Sequence, residues 1–390
     1  MSDYLIIGNG VAGTTAAETI RKHDRQGSIT MVTDERLPFY SRIKLIDYLA
    51  GEADEKKLLL KEEDWHREQD IELLLNCRVT GADLGKKTVT TSSGRTLEFG
   101  KLLLATGSHS FLPPIDGVEK KGVFTLRNIA DADAILNFAE TRREVIMVGG
   151  GLLGLEAGNS LRKRGKQVVV VEFFPRLLPR QLDQEGAARL QKIMEDMGFV
   201  FHLGETPREV RGEGAVQGIG LEGGREIEGE LVVVSTGVRP NLTLAEQLGL
   251  RCDKGVVVDD RLQTSDPAVF AAGDLIEHRG MVYGIWPAAS QQGKIAGANL
   301  AGGEEIYEGT TMSNILKVAG IDLASAGNID AEGEFDCRTM ASEKVYKKLV
   351  VADNKVIGCI MLGDIKKFSV VTRAMKESHD AAEVLDSVFS

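Results

Sequence analysis

Short apolar runs alternate along the chain with longer stretches in which apolar residues recur every three or four positions. The first run, YLIIG at 4–8, leads into VAGTTAAETI at 11–20 and then into SITMVT at 28–33. A short apolar run flanked by turn residues marks a strand buried on both faces, and the order strand, helix, strand predicts a parallel sheet with crossover helices. KLLLATGS at 101–108 supplies a further buried strand. The same order of parts returns in VIMVGGGLLGLEAGNSLRKRGKQVVVVE at 145–172, and ELVVVSTGVRPN at 230–241 closes that stretch.

The proline- and glycine-rich FLPPIDGVEKKG at 111–122 marks a crossing between domains. A strand pair and a Gly-Asp turn follow in GVVVDDRLQTSDPAVFAAGDL at 255–275, then a helical pattern in PAASQQGKIAGANLAG at 287–302. If that turn serves the first nucleotide, this segment returns to the N-terminal sheet. The expected class is α/β: two Rossmann-like dinucleotide-binding domains, 1–112 with 239–308 and 113–238, plus a small C-terminal α+β domain at 309–390.

Composition narrows the function. A formal charge of −11 and a pI near 5.3 argue against nucleic acid as a partner, since phosphate binding needs clustered Lys and Arg. No apolar run is long enough to span a bilayer and the first strand begins close to Met1, so the expected location is cytoplasmic. Cys77, Cys252, Cys337 and Cys359 are far apart and the six histidines show no metal-binding spacing, so no metal site is expected.

In the first glycine fingerprint, Gly8, Gly10 and Gly13 would give a tight turn, a close approach to a pyrophosphate and a close helix–strand contact, with Val11 and Ala12 in the first turn of the helix. Asp34, with Glu35 beside it, is the acid expected about 20 residues on to accept ribose hydroxyls. In the second, Gly149, Gly151 and Gly154 take these roles, with Leu152 and Leu153 in the helical turn and Glu172 as the acid. A carboxylate there bonds a free 2'-hydroxyl and repels a 2'-phosphate, so NADH is expected over NADPH. Arg176 is read as a solvated charge, or as a group that softens this preference.

These fingerprints, with LLLATGS, STGVRPN and VFAAGD, resemble the flavoprotein reductases with two dinucleotide-binding domains, the pyridine nucleotide-disulfide oxidoreductase superfamily. LPFYSRIKLIDYLAG, PRLLPRQLD and the tail ILKVAGIDLASAGNI are similar to NADH-rubredoxin oxidoreductases and to the flavin module of NADH-dependent nitrite reductases. The resemblance implies FAD at the first site and NADH at the second. It also implies that Arg42 and Lys44 lie near the flavin, Val79 near adenine, and that Ala105, Thr106, Gly107 and Arg127 contact the cofactor. Asp274 would bind toward the ribityl chain and Trp286 approach the isoalloxazine, while Gly237 of STGVRPN lines the second site. Glu156 matches a glutamate that faces the flavin in this family, with Lys44 as its expected ion-pair partner.

Family members with a C-x-x-x-x-C disulfide or a single redox cysteine carry it beside the flavin, and the stretch around Ser41 has no thiol. A serine cannot relay electrons as a disulfide does. The resemblance then implies electron flow from NADH through FAD to a small redox protein such as rubredoxin. The alternatives are an NADH oxidase or diaphorase, or the flavin subunit of a nitrite-reductase-type complex. Without segments for sirohaem or iron-sulfur ligation, the chain is not expected to reduce nitrite alone. The lysines Lys344, Lys347, Lys348, Lys355, Lys366 and Lys367 suggest either ordinary solvated surface or a basic patch that steers an acidic partner.

Overall fold

The computed structural model describes residues 2–310, 313–377 and 379–389. The chain divides into two compact units, each assembled from three stretches. Met1–Ile43, Asp54–His109 and Val238–Thr310 form the first, and Lys44–Ala53, Ser110–Gly237 and Thr311–Ser390 form the second.

At the centre of the first unit's sheet, the strand Ser2–Ile7 is flanked by Ile29–Val32 and Thr96–Leu104, all parallel, with Ile71–Leu74 outside Ile29–Val32. The late strand Val269–Ala271 joins this sheet by pairing with Leu102–Leu104. Ile29–Val32 is buried along its whole length, as a continuous apolar run between two helical layers requires. The helices Val11–His23 and Trp286–Leu300 pack at very short range because their contact is built from small residues. A Cβ on Gly293 would lie 2.4 Å from the Ala12 carbonyl oxygen, and one on Gly297 would lie 2.6 Å from that of Ala16.

In the second unit, Glu144–Val148 is central, with Gln167–Glu172 and Val200–Leu203 on one side and Leu231–Val234 and Val123–Thr125 on the other, all parallel. The tail of this unit folds as a five-stranded antiparallel sheet in the order Ser313–Val318, Ile321–Gly327, Lys355–Leu362, Tyr346–Ala352, Asp336–Ala341. The helices Phe368–Glu377 and Ala381–Phe389 cover its apolar face through Val371, Ala374, Val384 and Val388. No helix among the described residues is long and apolar enough to cross a membrane.

The expectation that the tail lysines are solvated surface or a basic patch is corrected for two of them. Lys347 and Lys348 are only 4% and 6% exposed. Lys347 pairs with Asp364 at 2.8 Å, and Lys348 lies 3.2 Å from Asp183 while donating to the Asp330 carbonyl at 2.8 Å. A buried ammonium must be paired, so these two are internal fasteners. Lys344, Lys355, Lys366 and Lys367 remain exposed.

Candidate functional site

Each fingerprint forms the same cradle, and the reason is visible atom by atom. Gly8 has φ +115° and a Cβ there would fall 2.1 Å from the Ala105 carbonyl oxygen; Gly149 has φ +114° and would meet the Ser235 oxygen at 2.3 Å. A Cβ on Gly13 or Gly154 would strike the carbonyl of the cradle's own first glycine, at 2.0 and 2.2 Å. The middle glycines differ: around Gly10 and Gly151 nothing lies within 4 Å of an added Cβ. Both cap the N-terminus of a helix, Val11–His23 and Leu152–Lys163, and neither helix has a side-chain cap there. Helix N–H groups and the positive end of the dipole therefore face open space, which is what an anionic pyrophosphate requires. In the first cradle Asn9 is buried and its Nδ2 has no partner among the described residues, while its Oδ1 accepts from Thr14.

The two acids are not equivalently placed, contrary to the matching order of parts in the sequence. Gly8 donates to the Val32 carbonyl and Gly149 to that of Val171, both at 2.8 Å, which makes Thr33 the counterpart of Glu172. Asp34 stands one residue beyond and is exposed, whereas Glu172 is buried. The Glu172 carboxylate accepts from the Gly150 N–H of its own cradle and from the Phe174 N–H at 2.8 Å. Glu35, next to Asp34, accepts from the Tyr40 hydroxyl and pairs with Arg42.

Around the first cradle the structure gathers most of the remaining expected residues. Burial acts to lower the affinity of the Arg42 guanidinium for its proton, but the charges of Glu35, Tyr40 and Asp274 outweigh it and hold the pKa above the ordinary value. Asp274 accepts from the Ser108 hydroxyl at 3.1 Å, and the preceding Gly273 lies against Ala12 at the start of the fingerprint helix. Ala105 donates to Ile7 at 2.8 Å; Thr106 accepts from the Asn241 side chain at 2.7 Å, and the Gly107 carbonyl accepts from the Asn241 N–H at 3.0 Å. Trp286 opens its helix with its ring 6.0 Å from Phe39. Val79 begins the strand Val79–Asp83 and packs on the core of this unit.

Lys44, Arg127, Glu156 and Gly237 fall in the second unit. The Arg127 N–H donates to Asp131 at 2.7 Å, ahead of the Asn128 capping box. The Gly237 carbonyl accepts from Phe111 at 2.9 Å. Glu156 lies in the second turn of its helix, Leu152–Lys163. Among the described residues its carboxylate accepts from the backbone N–H of Ala319 at 2.7 Å, in place of the expected ion pair with Lys44. Burial pushes the Glu156 carboxyl above the usual range, against the pull of the Ala319 bond. Arg176 is half-buried, with its Nε sealed from solvent, and is not the fully solvated charge expected.

Two positions escape a sequence reading. Gln292, only 1% exposed, accepts from Gly273 at 2.9 Å and donates to the Tyr307 hydroxyl at 3.1 Å, so it pins the Gly-Asp turn from behind. Its signal is a polar residue on the buried face of an alanine-rich helix. Ala319 acts through a backbone amide and leaves no signal.

Residues 2–293 match the family described as pyridine nucleotide-disulphide oxidoreductase. The chain belongs to this family. Residues 313–379 match the rubredoxin NAD+ reductase C-terminal domain, so the tail is the chain's second recognisable module. Nitrite reductase [NAD(P)H] of Bacillus subtilis (strain 168) is 36% identical over 97% of this chain and 48% of its own length. An NADH oxidase of Methanocaldococcus jannaschii is 31% identical, covering 92% of this chain and 87% of its own. The crystal structure of NADH:rubredoxin oxidoreductase from Clostridium acetobutylicum superimposes with a TM-score of 0.84 at 26% identity, over 97% of this chain and 96% of that one. The chain spans less than half the length of the nitrite reductases it matches.

Proposed function

We propose that this oxidoreductase takes electrons from NADH and passes them through FAD to a small redox protein such as rubredoxin, with no redox-active disulfide. The observation that carries the reading is the duplicated cradle, each with a helix N-terminus open at its middle glycine. The orphaned Asn9 Nδ2 adds a donor suited to a phosphate oxygen. FAD, when bound, accepts electrons as a pair and hands them on singly, the conversion that a one-electron iron protein requires.

In this reading FAD occupies the domain formed by 1–112 and 239–308. Gly8, Gly10 and Gly13 admit its pyrophosphate, Asp34 and Glu35 serve the adenosine ribose, and Asp274 the ribityl chain. NADH occupies the domain 113–238, where the buried Glu172 selects a free 2'-hydroxyl over a phosphate. Glu156 and Lys44 are the charged groups assigned to the nicotinamide end, and 309–390 forms the C-terminal domain. All four cysteines are free thiols, which accords with electrons leaving the flavin directly. A cytoplasmic location goes with this reading.

The test is to purify the protein, identify its flavin, and compare anaerobic NADH-driven reduction of rubredoxin and a dye with aerobic consumption of oxygen. Rubredoxin should be the fastest acceptor; a protein that takes up no flavin would overturn the reading, and a preference for oxygen would make it an NADH oxidase. The identity to nitrite reductases over 97% of the chain favours a second reading, the flavin module of such a complex. Copurification with a sirohaem protein would select it.

A further inference from the structure

The C-terminal sheet begins with a hairpin whose strands, Ser313–Val318 and Ile321–Gly327, pair up to Val318 opposite Ile321. Ala319 and Gly320 form the turn with φ +50° and +88°, the doubly left-handed geometry of a tight hairpin. Glycine adopts this backbone freely and alanine does not. The turn is nonetheless buried at Ala319, and its N–H meets the Glu156 carboxylate at 2.7 Å. The sheet is fastened to the same unit a second time: Tyr346 donates to Asp183 at 2.7 Å, and Asp183 caps the helix Gln184–Asp196. A glutamate side chain is long and free to rotate, so a donor on the turn of a sheet that Tyr346 fastens independently to Asp183 restricts that freedom.

We infer that the C-terminal domain serves as a positioning element for Glu156, with the Ala319 N–H fixing the carboxylate for its part in NADH-driven flavin reduction. The inference rests on the role proposed above for Glu156. It gives the domain a task inside the reductive step, distinct from docking an acceptor. The charged groups that face Glu156 are Lys163 on its own helix, Asp47 of the helix Leu45–Ala50 and Lys317 of the hairpin. An N–H directed at the carboxylate favours its charged form, so losing the bond must raise the Glu156 pKa further and shift the acid limb of the rate profile upward.

Insertion of two glycines between Val318 and Ala319, the substitution Glu156→Ala, and the two combined test this. The readout is the anaerobic rate of flavin reduction by NADH across pH in the full-length holoprotein. The insertion should slow reduction about tenfold, the worth of a hydrogen bond to a charged group, and move the acid limb up by about one pH unit. In the Glu156→Ala background it should cost nothing more. Normal kinetics in the insertion variant beside a slow Glu156→Ala would overturn the positioning role and leave Glu156 in place. A normal rate in Glu156→Ala would remove the role of Glu156 itself. In the unaltered protein, the Ala319 amide proton shift should titrate with the kinetic acid limb; an unresponsive amide would overturn the inference without any variant having to fold.

Discussion

Gly8 and Gly10 stand two residues apart and are glycine for opposite reasons. At Gly8 the backbone is left-handed and a neighbouring carbonyl fills the space of a side chain; at Gly10 the backbone is ordinary, at φ −86°, and the space is open. Gly8→Ala should therefore destabilise the fold by roughly 3 kcal/mol or more through strain and overlap. Gly10→Ala should leave the melting temperature nearly unchanged and abolish flavin retention, because its methyl group enters the space of the pyrophosphate. Thermal melts beside flavin content per chain separate the two. At Glu172 the carboxylate is already tied to Gly150 and Phe174. Glu172→Gln loses the charge and turns one of these two accepting oxygens into a donor, and should narrow the preference for NADH over NADPH by about tenfold, measured as the ratio of kcat/KM values.

The strands Val256–Val258 and Ile276–His278 are tied at one end by Asp260, which accepts from Arg279 at 2.9 and 2.7 Å and shares a 2.8 Å hydrogen bond with His278. The bonds from Arg279, then those from His278, hold the Asp260 pKa down to about 2 from an ordinary 3.8. The folded value lies below the unfolded one, so the contribution is fully present above pH 4 and is lost as pH falls toward 2. Denaturant midpoints should drop over that window in the natural protein, and less steeply in Asp260→Asn. Elements of this size were unevenly legible. The glycine cradles could be read because their three glycines stand at a fixed spacing within one short stretch, a pattern visible without knowing which distant carbonyls, those of Ala105 and Ser235, fill the space beside them. The offset between Asp34 and Glu172 could not, because it depends on where each helix and the loop after it end: Val11–His23 is a residue longer than Leu152–Lys163. Counting residues to an acid does not locate the end of the strand. The burial of Lys348 is not legible because its partners, Asp183 and Asp330, lie outside its strand, and strand alternation says nothing about them. Glu156 and Ala319 are 163 residues apart and meet through an amide that almost every residue possesses.

For the molecule as a whole, the absence of a paired thiol sets the electron capacity. Cys77, Cys252, Cys337 and Cys359 are all free, and burial, with a hydrogen bond to Asp330, pushes the Cys337 thiol up to about 11, far from the range of a reactive thiolate. Anaerobic titration with NADH should bleach the flavin after about one equivalent, whereas a disulfide in series would consume about two. Arsenite, which traps neighbouring dithiols, should not inhibit turnover.

The first unit recruits its late strand Val269–Ala271 to a sheet begun at Ser2, and its long helix Trp286–Leu300 to a partner near the amino terminus. During synthesis on the ribosome, that unit must wait for most of the polypeptide, including the whole 110–237 stretch, to emerge before it can close. Stalled nascent chains released at residue 260 should retain no flavin, while chains released at 310 should bind it, as fluorescence of the released complexes would report. Prosthetic-group capture is thereby a late event in the life of the chain, and premature termination yields apoprotein in place of a half-working enzyme.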